Sequence, residues 1–329
     1  MGKRARAGMF LALLLLAAAG IISMYQVRKE RKYTSSFPAM GTVATVTLYT
    51  DETDFLNALR AVQESFAFVT ALADCRDPRS ELARLNKEAA QAPFVCSPAM
   101  WEILTESRLA YKLSEGAFDI SVKPLMDHWG FYRKKLKKIP PVSETAEIKK
   151  RTGLDKVIFD DRHHTVRFPG AGFAFDLGGI AKGYAIELAA GKLIERGVTR
   201  GVIDLGGNLR LLPDPPPGKK FYSIGIRRPD RKKGGVMPEV LQLKGNTAVS
   251  SSGDYERFVI LEGKKFGHII DPATGNPAPG ERAVTAAAGS GTRSDWLSTA
   301  VYLRGRKMAD KLKKQLPQTQ FFIIEKEKY

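Results

Sequence analysis

The sequence predicts an α+β fold, with mixed but largely antiparallel sheets and flanking helices, over residues 31–329. Three observations carry that expectation. Residues 43–49, VATVTLY, alternate β-branched and other side chains with the two-residue period of a half-buried strand. Phe55, Leu59, Val62, Phe66 and Val69 then recur at intervals of three and four, the spacing of an amphipathic helix. The last third alternates short strand-like runs with turns: FYSIGI, TAVSSS, FVI, KKFG and HIIDP.

Taken in order, the chain begins with Lys3, Arg4 and Arg6 ahead of an apolar run over residues 9–22, with Ala17, Ala18 and Ala19 near its end. A charged flank and a short apolar run describe an export leader. Two alternatives stand, a signal peptide cleaved after Ala19 or an uncleaved anchor reaching about Val27. Residues 1–30 are therefore set apart as signal or membrane anchor. The rest is expected beyond the cytoplasmic membrane, in the periplasm or on the membrane's outer face. Cys75 and Cys96 are the only cysteines; export would permit a disulfide between them, but spacing does not decide it. Neither they nor the four scattered histidines match a zinc pattern.

Beyond the strand, Asp51 is placed to cap the first helix, and residues 74–86 read as a polar turn into a short helix. Ser97-Pro98 begins another helix that Gly116 stops. Residues 118–122 look strand-like. Asp119 lies among apolar neighbours there, where a carboxylate must be hydrogen-bonded structurally or belong to a site. A basic connector with a short helix fills 132–153, and His163-His164 marks a solvated hairpin tip.

Residues 173–210 form the most informative stretch. Two apolar runs, 173–175 and 202–203, each end in Asp-Leu-Gly-Gly, with a helical segment between them stopped at Gly197. The pattern reads as strand, glycine turn, helix, strand. The glycines either only make turns or let backbone approach a ligand beside an aspartate. Loops follow at 211–220 and 229–239. Near the end, alternation puts His268 and Ile270 on one strand face. A helix starting at Ser294 or Asp295 sets Asp295 and Thr299, four apart, on one side. That pair is either an acid satisfying its own helix dipole beside a packed threonine or an oxygen-ligand Mg²⁺ site.

The formal charge of +17 comes in clusters, at residues 134–138, 149–151 and 227–233. Such runs are solvated faces or attract anionic surfaces. No helix-turn-helix, zinc-finger or RNA-recognition signature accompanies them, so nucleic acid is not the expected partner.

Together these stretches resemble the ApbE-like family, the FAD:protein FMN transferases. The resemblance rests on Ala39-Met40-Gly41-Thr42, Ser80-Glu81-Leu82 with Arg84 and Asn86, and Gly116-Ala117-Phe118-Asp119 with Pro124-Leu125 and Trp129-Gly130-Phe131. It continues through Asp176-Leu177-Gly178-Gly179-Ile180-Ala181-Lys182-Gly183, Asp204 to Asn208, and Ser250 to Tyr255. It closes with His268 to Pro272 and Ser294 to Ala300. What it implies is a T-fold-related, exported enzyme. That enzyme splits FAD, joins the FMN half through a phosphoester to a threonine of an acceptor protein, and releases AMP. The acceptors are electron-transfer or redox membrane proteins.

Carried over by position, Met40, Ala117, Phe118, Asp119, Asp176, Lys182, His268 and Ile270 would contact FAD. The Gly179 carbonyl with the Asp295 and Thr299 side chains would hold Mg²⁺, with Ser298 beside them. His268 would take the acceptor's proton.

Two departures stand out. Cys75-Arg76-Asp77 occupies the place of an aromatic that stacks on the flavin, and the leader lacks a lipid-modified cysteine. An FAD-binding protein, or an FAD pyrophosphatase giving FMN and AMP, would use the same residues. A basic anchored protein binding anionic envelope polymers is the reading without the resemblance.

Overall fold

The structure is a computed structural model that describes residues 30–132, 136–226, 240–253, 258–280 and 282–325. The leader up to residue 29 and the loop expected at 229–239 lie outside these residues, as does the whole basic cluster at 227–233.

The chain opens with a hairpin that the sequence reading caught only in part. β1 (Arg31–Ala39) pairs antiparallel with β2 (Thr42–Thr50). Between them Met40 and Gly41 both take positive φ, 48° and 74°, the requirement of a two-residue type I′ turn. β1 escaped notice because its outward positions are hydroxylic. Thr34 and Ser36 bond across to Thr47 and Thr45 at 3.1 and 2.9 Å. β2 behaves as its alternation predicts, with Ala44, Val46 and Leu48 wholly buried.

α1 (Glu52–Ala73) starts at Asp51, whose carboxylate accepts the Asp54 N–H, and it buries the predicted Phe55, Val62, Phe66 and Val69. α2 (Glu81–Glu88) is capped by Ser80; β3 (Phe94–Val95) and α3 (Pro98–Leu113) follow, the latter capped by Ser97.

The expected strand at 118–122 is instead a 3₁₀ turn, Ile120–Val122, with Asp119 as its cap accepting the Ser121 N–H at 2.7 Å. A carboxylate able to cap locally outcompetes strand pairing. α4 (Lys123–His128) and α5 (Val142–Lys149) come next, then the His163-His164 hairpin of β4 (Ile158–Asp160) and β5 (Thr165–Arg167). His164 at that exposed tip stacks on Trp101 at 4.9 Å.

Residues 173–175 are likewise no strand. Their backbone is held by the Asn86 side chain, which donates to the Phe175 carbonyl at 2.9 Å and accepts its N–H at 2.7 Å, the two bonds a neighbouring strand would have made. α6 (Ala181–Glu195) leads to β6 (Gly201–Leu205), which turns through Gly206-Gly207 into β7 (Asn208–Leu211). The second Asp-Leu-Gly-Gly is thus a hairpin turn, with Asp204 accepting the Gly207 N–H at 2.8 Å. Only the first enters a helix.

The remainder comprises β8 (Tyr222–Gly225), β9 (Val240–Leu243), β10 (Thr247–Ser252), β11 (Phe258–Leu261), β12 (Lys264–Gly267), β13 (Ile270–Asp271), β14 (Asn276–Pro277) and β15 (Arg282–Ala288). Then come α7 (Gly291–Arg304), α8 (Arg306–Gln315) and β16 (Gln320–Glu325). α7 begins earlier than the expected Ser294, since Gly291 and Thr292 are already helical.

Seven strands form one antiparallel sheet in the order β1-β2-β6-β7-β10-β15-β16. α1, α6 and α7 cover one face and build the main core, in which Trp296, Phe175 and Ile186 are buried. The β8–β9 hairpin covers part of the other face through Tyr222, Leu241 and Leu243. A third core, of Leu125, Met126, Trp129, Leu261 and Ile270, joins α4 to the β11–β12 and β13–β14 hairpins. Trp129 ties it together by donating to the Gly275 carbonyl at 3.0 Å. Among the described residues, no helix is long and apolar enough to cross a membrane.

Candidate active site

Between the helix-covered sheet and the third core lies a cleft of about 580 Å³. That is within the range of about 300–1,000 Å³ of ordinary small-ligand sites, enough to hold a small-molecule ligand. All eleven residues singled out by sequence line it: Met40, Ala117, Phe118, Asp119, Asp176, Gly179, Lys182, His268, Ile270, Asp295 and Thr299. They come from five separate stretches of the chain, at 40, 117–119, 176–182, 268–270 and 295–299. Two glycine turns, Met40-Gly41 and the one at Gly206, lie side by side at the sheet's end. A Cβ on Gly206 would sit 2.5 Å from the Thr42 hydroxyl, so the close approach of the two hairpins requires glycine there.

Asp176 sits where the chain enters α6. Its Oδ1 accepts the Gly178 N–H at 2.8 Å, and its Oδ2 accepts the Cys75 thiol at 3.6 Å and the Tyr132 hydroxyl. Burial, followed by the Asp176 charge, pushes the Cys75 thiol up to about 12. That keeps it a neutral donor. Cys96 is buried elsewhere, and the two thiols are separate and free. Asp119 precedes Ile120, whose carbonyl accepts the Asp176 N–H at 2.7 Å, and it is pushed above the ordinary carboxylate range by its burial, against the pull of its bonds to Ser121.

Asp295 does not serve its own helix. It is buried, and its Oδ2 accepts the Gly183 N–H of α6 at 2.9 Å, while Lys182 Nζ stands 3.9 Å from Oδ1. The acid thus satisfies the start of the neighbouring helix and keeps one oxygen beside the cleft. Thr299 lies one turn on, and a Cβ built on Gly179 would be 3.7 Å from its hydroxyl, so the three predicted metal ligands converge. Ser298 does not join them. It is fully buried, absent from the lining, and donates to the Asp295 carbonyl at 2.8 Å. Among the described residues no three His, Cys, Asp or Glu gather as a metal cluster.

α7 is fixed in place from behind. Glu187 of α6 accepts the Gly291 N–H at 2.6 Å and pairs with buried Arg210 of β7 at 3.0 Å. Glu106 of α3 holds Arg293 and the Trp296 indole N–H, each at 3.0 Å.

His268 lines the cleft as expected, but not from a strand. β12 ends at Gly267 and β13 starts at Ile270, leaving His268 in a bend between them. Asp271 is engaged by Arg304 at 2.7 Å and by the Ala273 N–H at 2.9 Å.

Two of the lining residues that the sequence did not single out make polar contacts central to the site. Tyr132 follows directly on Trp129-Gly130-Phe131 and carries the ring that borders both Asp176 and Arg76. Its adjacency to an aromatic motif was the available signal. Ser252, the last residue of the serine run at 250–252, faces Thr299 at 3.2 Å. Arg76, noted only for occupying an aromatic's place, lines the cleft with its guanidinium forked onto Asp74 at 2.8 and 2.9 Å.

The sequence profile of the ApbE family matches residues 40–323. The FAD:protein FMN transferase of Haemophilus influenzae is 30% identical over 304 residues, 90% of this chain and 87% of that one. The one from Treponema pallidum is 28% identical over 331 residues, 93% of this chain and 88% of its own. Among solved structures, the ApbE protein of Thermotoga maritima superposes with a TM-score of 0.81 at 29% identity, covering 90% of this chain and 94% of its own. The flavin transferase ApbE of Vibrio cholerae gives 0.80 at 25% identity, over 91% and 94%.

Proposed function

The chain belongs to the ApbE family, and on that premise we propose that it transfers the FMN part of FAD to a threonine hydroxyl of an acceptor protein, with Mg²⁺ present and AMP released. The observation that carries this reading is the convergence of all eleven expected residues on one cleft.

The donor set suits the metal. One buried carboxylate, one hydroxyl and one carbonyl are hard oxygen donors, too few for an all-protein cage. Mg²⁺ characteristically takes one or two carboxylates and completes its shell with water and substrate phosphates. Asp295, Thr299 and Gly179 would hold it, and it would supply neutralisation of pyrophosphate charge.

The chain's own residues do the rest. Lys182, beside Asp295, adds a fixed cation at the phosphates. Met40, Phe118 and Ile270 offer apolar surface to the ligand's rings, and Asp119 and Asp176 offer polar contacts at its edges. His268 takes the proton as the threonine oxygen attacks the FMN phosphorus. One O–P bond to threonine forms, the pyrophosphate bond breaks, and AMP leaves with the bridging oxygen.

We also place the reaction beyond the cytoplasmic membrane, on an acceptor among redox proteins there. The charged flank and apolar run at residues 3–22 support this. A reporter fused after Tyr33 should be active outside the cytoplasm.

The deciding experiment incubates the protein with FAD and a threonine-containing acceptor, with and without Mg²⁺. AMP release and the acceptor's mass are followed together. An acceptor heavier by FMN less water, only with Mg²⁺, is expected. AMP with free FMN and an unmodified acceptor would identify a pyrophosphatase; no AMP at all would sink the proposal.

A further inference from the structure

A hydroxyl has one proton to give, and that rule fixes the direction of a buried hydrogen-bond chain beneath Thr299. Ser298 Oγ donates to the Asp295 carbonyl at 2.8 Å. Ser252 Oγ, on β10, lies 2.8 Å from Ser298 Oγ and 3.2 Å from Thr299 Oγ1. A carbonyl cannot return a proton, so Ser298's is committed, and its contact with Ser252 is a hydrogen bond only if Ser252 donates. Ser252 then has none left for Thr299. The last contact therefore runs from the Thr299 hydroxyl to Ser252.

We propose that Ser252 is a positioning residue: by accepting the Thr299 proton it turns that hydroxyl's lone pairs into the cleft, presetting Thr299 as a cation ligand. This rests on the metal reading above and adds to it the residue that orients the ligand. Ser298 is wholly buried and Ser252 is 8% exposed, so the end of the chain at the Asp295 carbonyl is closed to water and sets the direction of the rest. Both ends are rigid, because α7 is anchored by Glu187 and β10 lies inside the sheet. Outer partners of this kind set ligand orientation, and losing one lowers metal affinity by about 10–100-fold.

The fold supplies its own control. One turn earlier the same chemistry repeats: Ser294 donates to the Gly291 carbonyl at 3.0 Å, and Ser250 bonds Ser294 at 2.8 Å. Neither of these hydroxyls borders the cleft. Removing that rung costs a comparable buried hydrogen bond without touching Thr299.

The test titrates Mn²⁺ into the full-length protein, with and without ADP, reading bound metal by electron paramagnetic resonance and stability by thermal unfolding. Ser252→Ala is expected to weaken Mn²⁺ binding by about 10–100-fold, and Ser252→Thr, which keeps the acceptor oxygen, to restore it. Ser250→Ala is expected to lower the melting temperature with wild-type Mn²⁺ affinity. Wild-type affinity in a folded Ser252→Ala protein would overturn the inference. So would an equal loss of affinity in Ser250→Ala, or a stable Ser252→Thr protein that binds as weakly as Ser252→Ala. Wild-type protein that takes up no Mn²⁺ in either condition would instead remove the metal reading itself, and the relay with it.

Discussion

Asp295 shows how one carboxylate is divided between structure and chemistry. Its Oδ2 satisfies a backbone N–H of α6, and its Oδ1 faces Lys182 and the cleft. Asp295→Asn keeps an acceptor for Gly183 and removes the charge. It should fold with a melting temperature near wild type and lose Mg²⁺-dependent turnover; a variant with unchanged Mg²⁺ dependence would exclude Asp295 as a ligand. His268 in its bend is the expected base. His268→Asn should leave FAD binding near normal and slow transfer by about 10²–10⁴-fold, with part of the loss recovered at high pH as hydroxide replaces the base. Loss of FAD binding with turnover per bound enzyme intact would make it a contact residue instead. For Asp119, burial raises the folded pKa above the unfolded value near 3.8, so its ionisation costs stability as pH rises through and beyond that value. Asn caps about as well as Asp. Melting curves from pH 4 to 8 should therefore show Asp119→Asn gaining on wild type as pH rises, and parallel curves would rule out the burial cost.

At the scale of elements, the site depends on how closely α6 and α7 approach. A Cβ on Gly183 would lie 2.2 Å from the Gly291 carbonyl oxygen and 2.7 Å from the Asp295 Cβ. Gly183→Ala must push the helices apart, and overpacking of this kind costs about 1–3 kcal/mol. Gly191→Ala, on the same helix with nothing within 4 Å, should stabilise by about 0.5–1 kcal/mol. Urea midpoints of the two should move in opposite directions; a shared direction would mean that helix propensity outweighs the contact.

Elements with strong local patterns, β2 and α1 above all, were legible in the sequence because their own periodicity determines them. Residues 118–122 and 173–175 were not. Their apolar letters suit a strand, but a local cap at Asp119 and the distant Asn86 amide took the backbone bonds a strand would need. The site's residues were legible through the order of their motifs. Tyr132 and Ser252 act through partners far away in sequence, Asp176 and Thr299, and no spacing announces them.

For the whole molecule, the cleft's position between two cores has a mechanical consequence. Asp176, Lys182, Asp295 and Thr299 belong to the large helix-covered sheet, whereas Ile270 packs in the smaller core with α4 and the hairpins, and His268 lies beside it. The smaller core is thin. Phe258 and Ile260 of β11 are about half exposed or more, at 46% and 64%, and β11 and β12 pair only with each other among the described residues. Few buried contacts and a short ladder mark a segment that opens locally well below the global unfolding free energy. A ligand spanning the cleft touches both cores and suppresses that opening along with global unfolding. At a hundredfold excess over its dissociation constant it adds about 2.7 kcal/mol. FAD with Mg²⁺ should therefore raise the melting temperature and slow amide exchange most in residues 258–280, with little change in the β8–β9 hairpin on the sheet's far face. Protection confined to the α6–α7 side would show that the ligand is held by the sheet body alone, and would separate His268 from the bound state that the transfer requires.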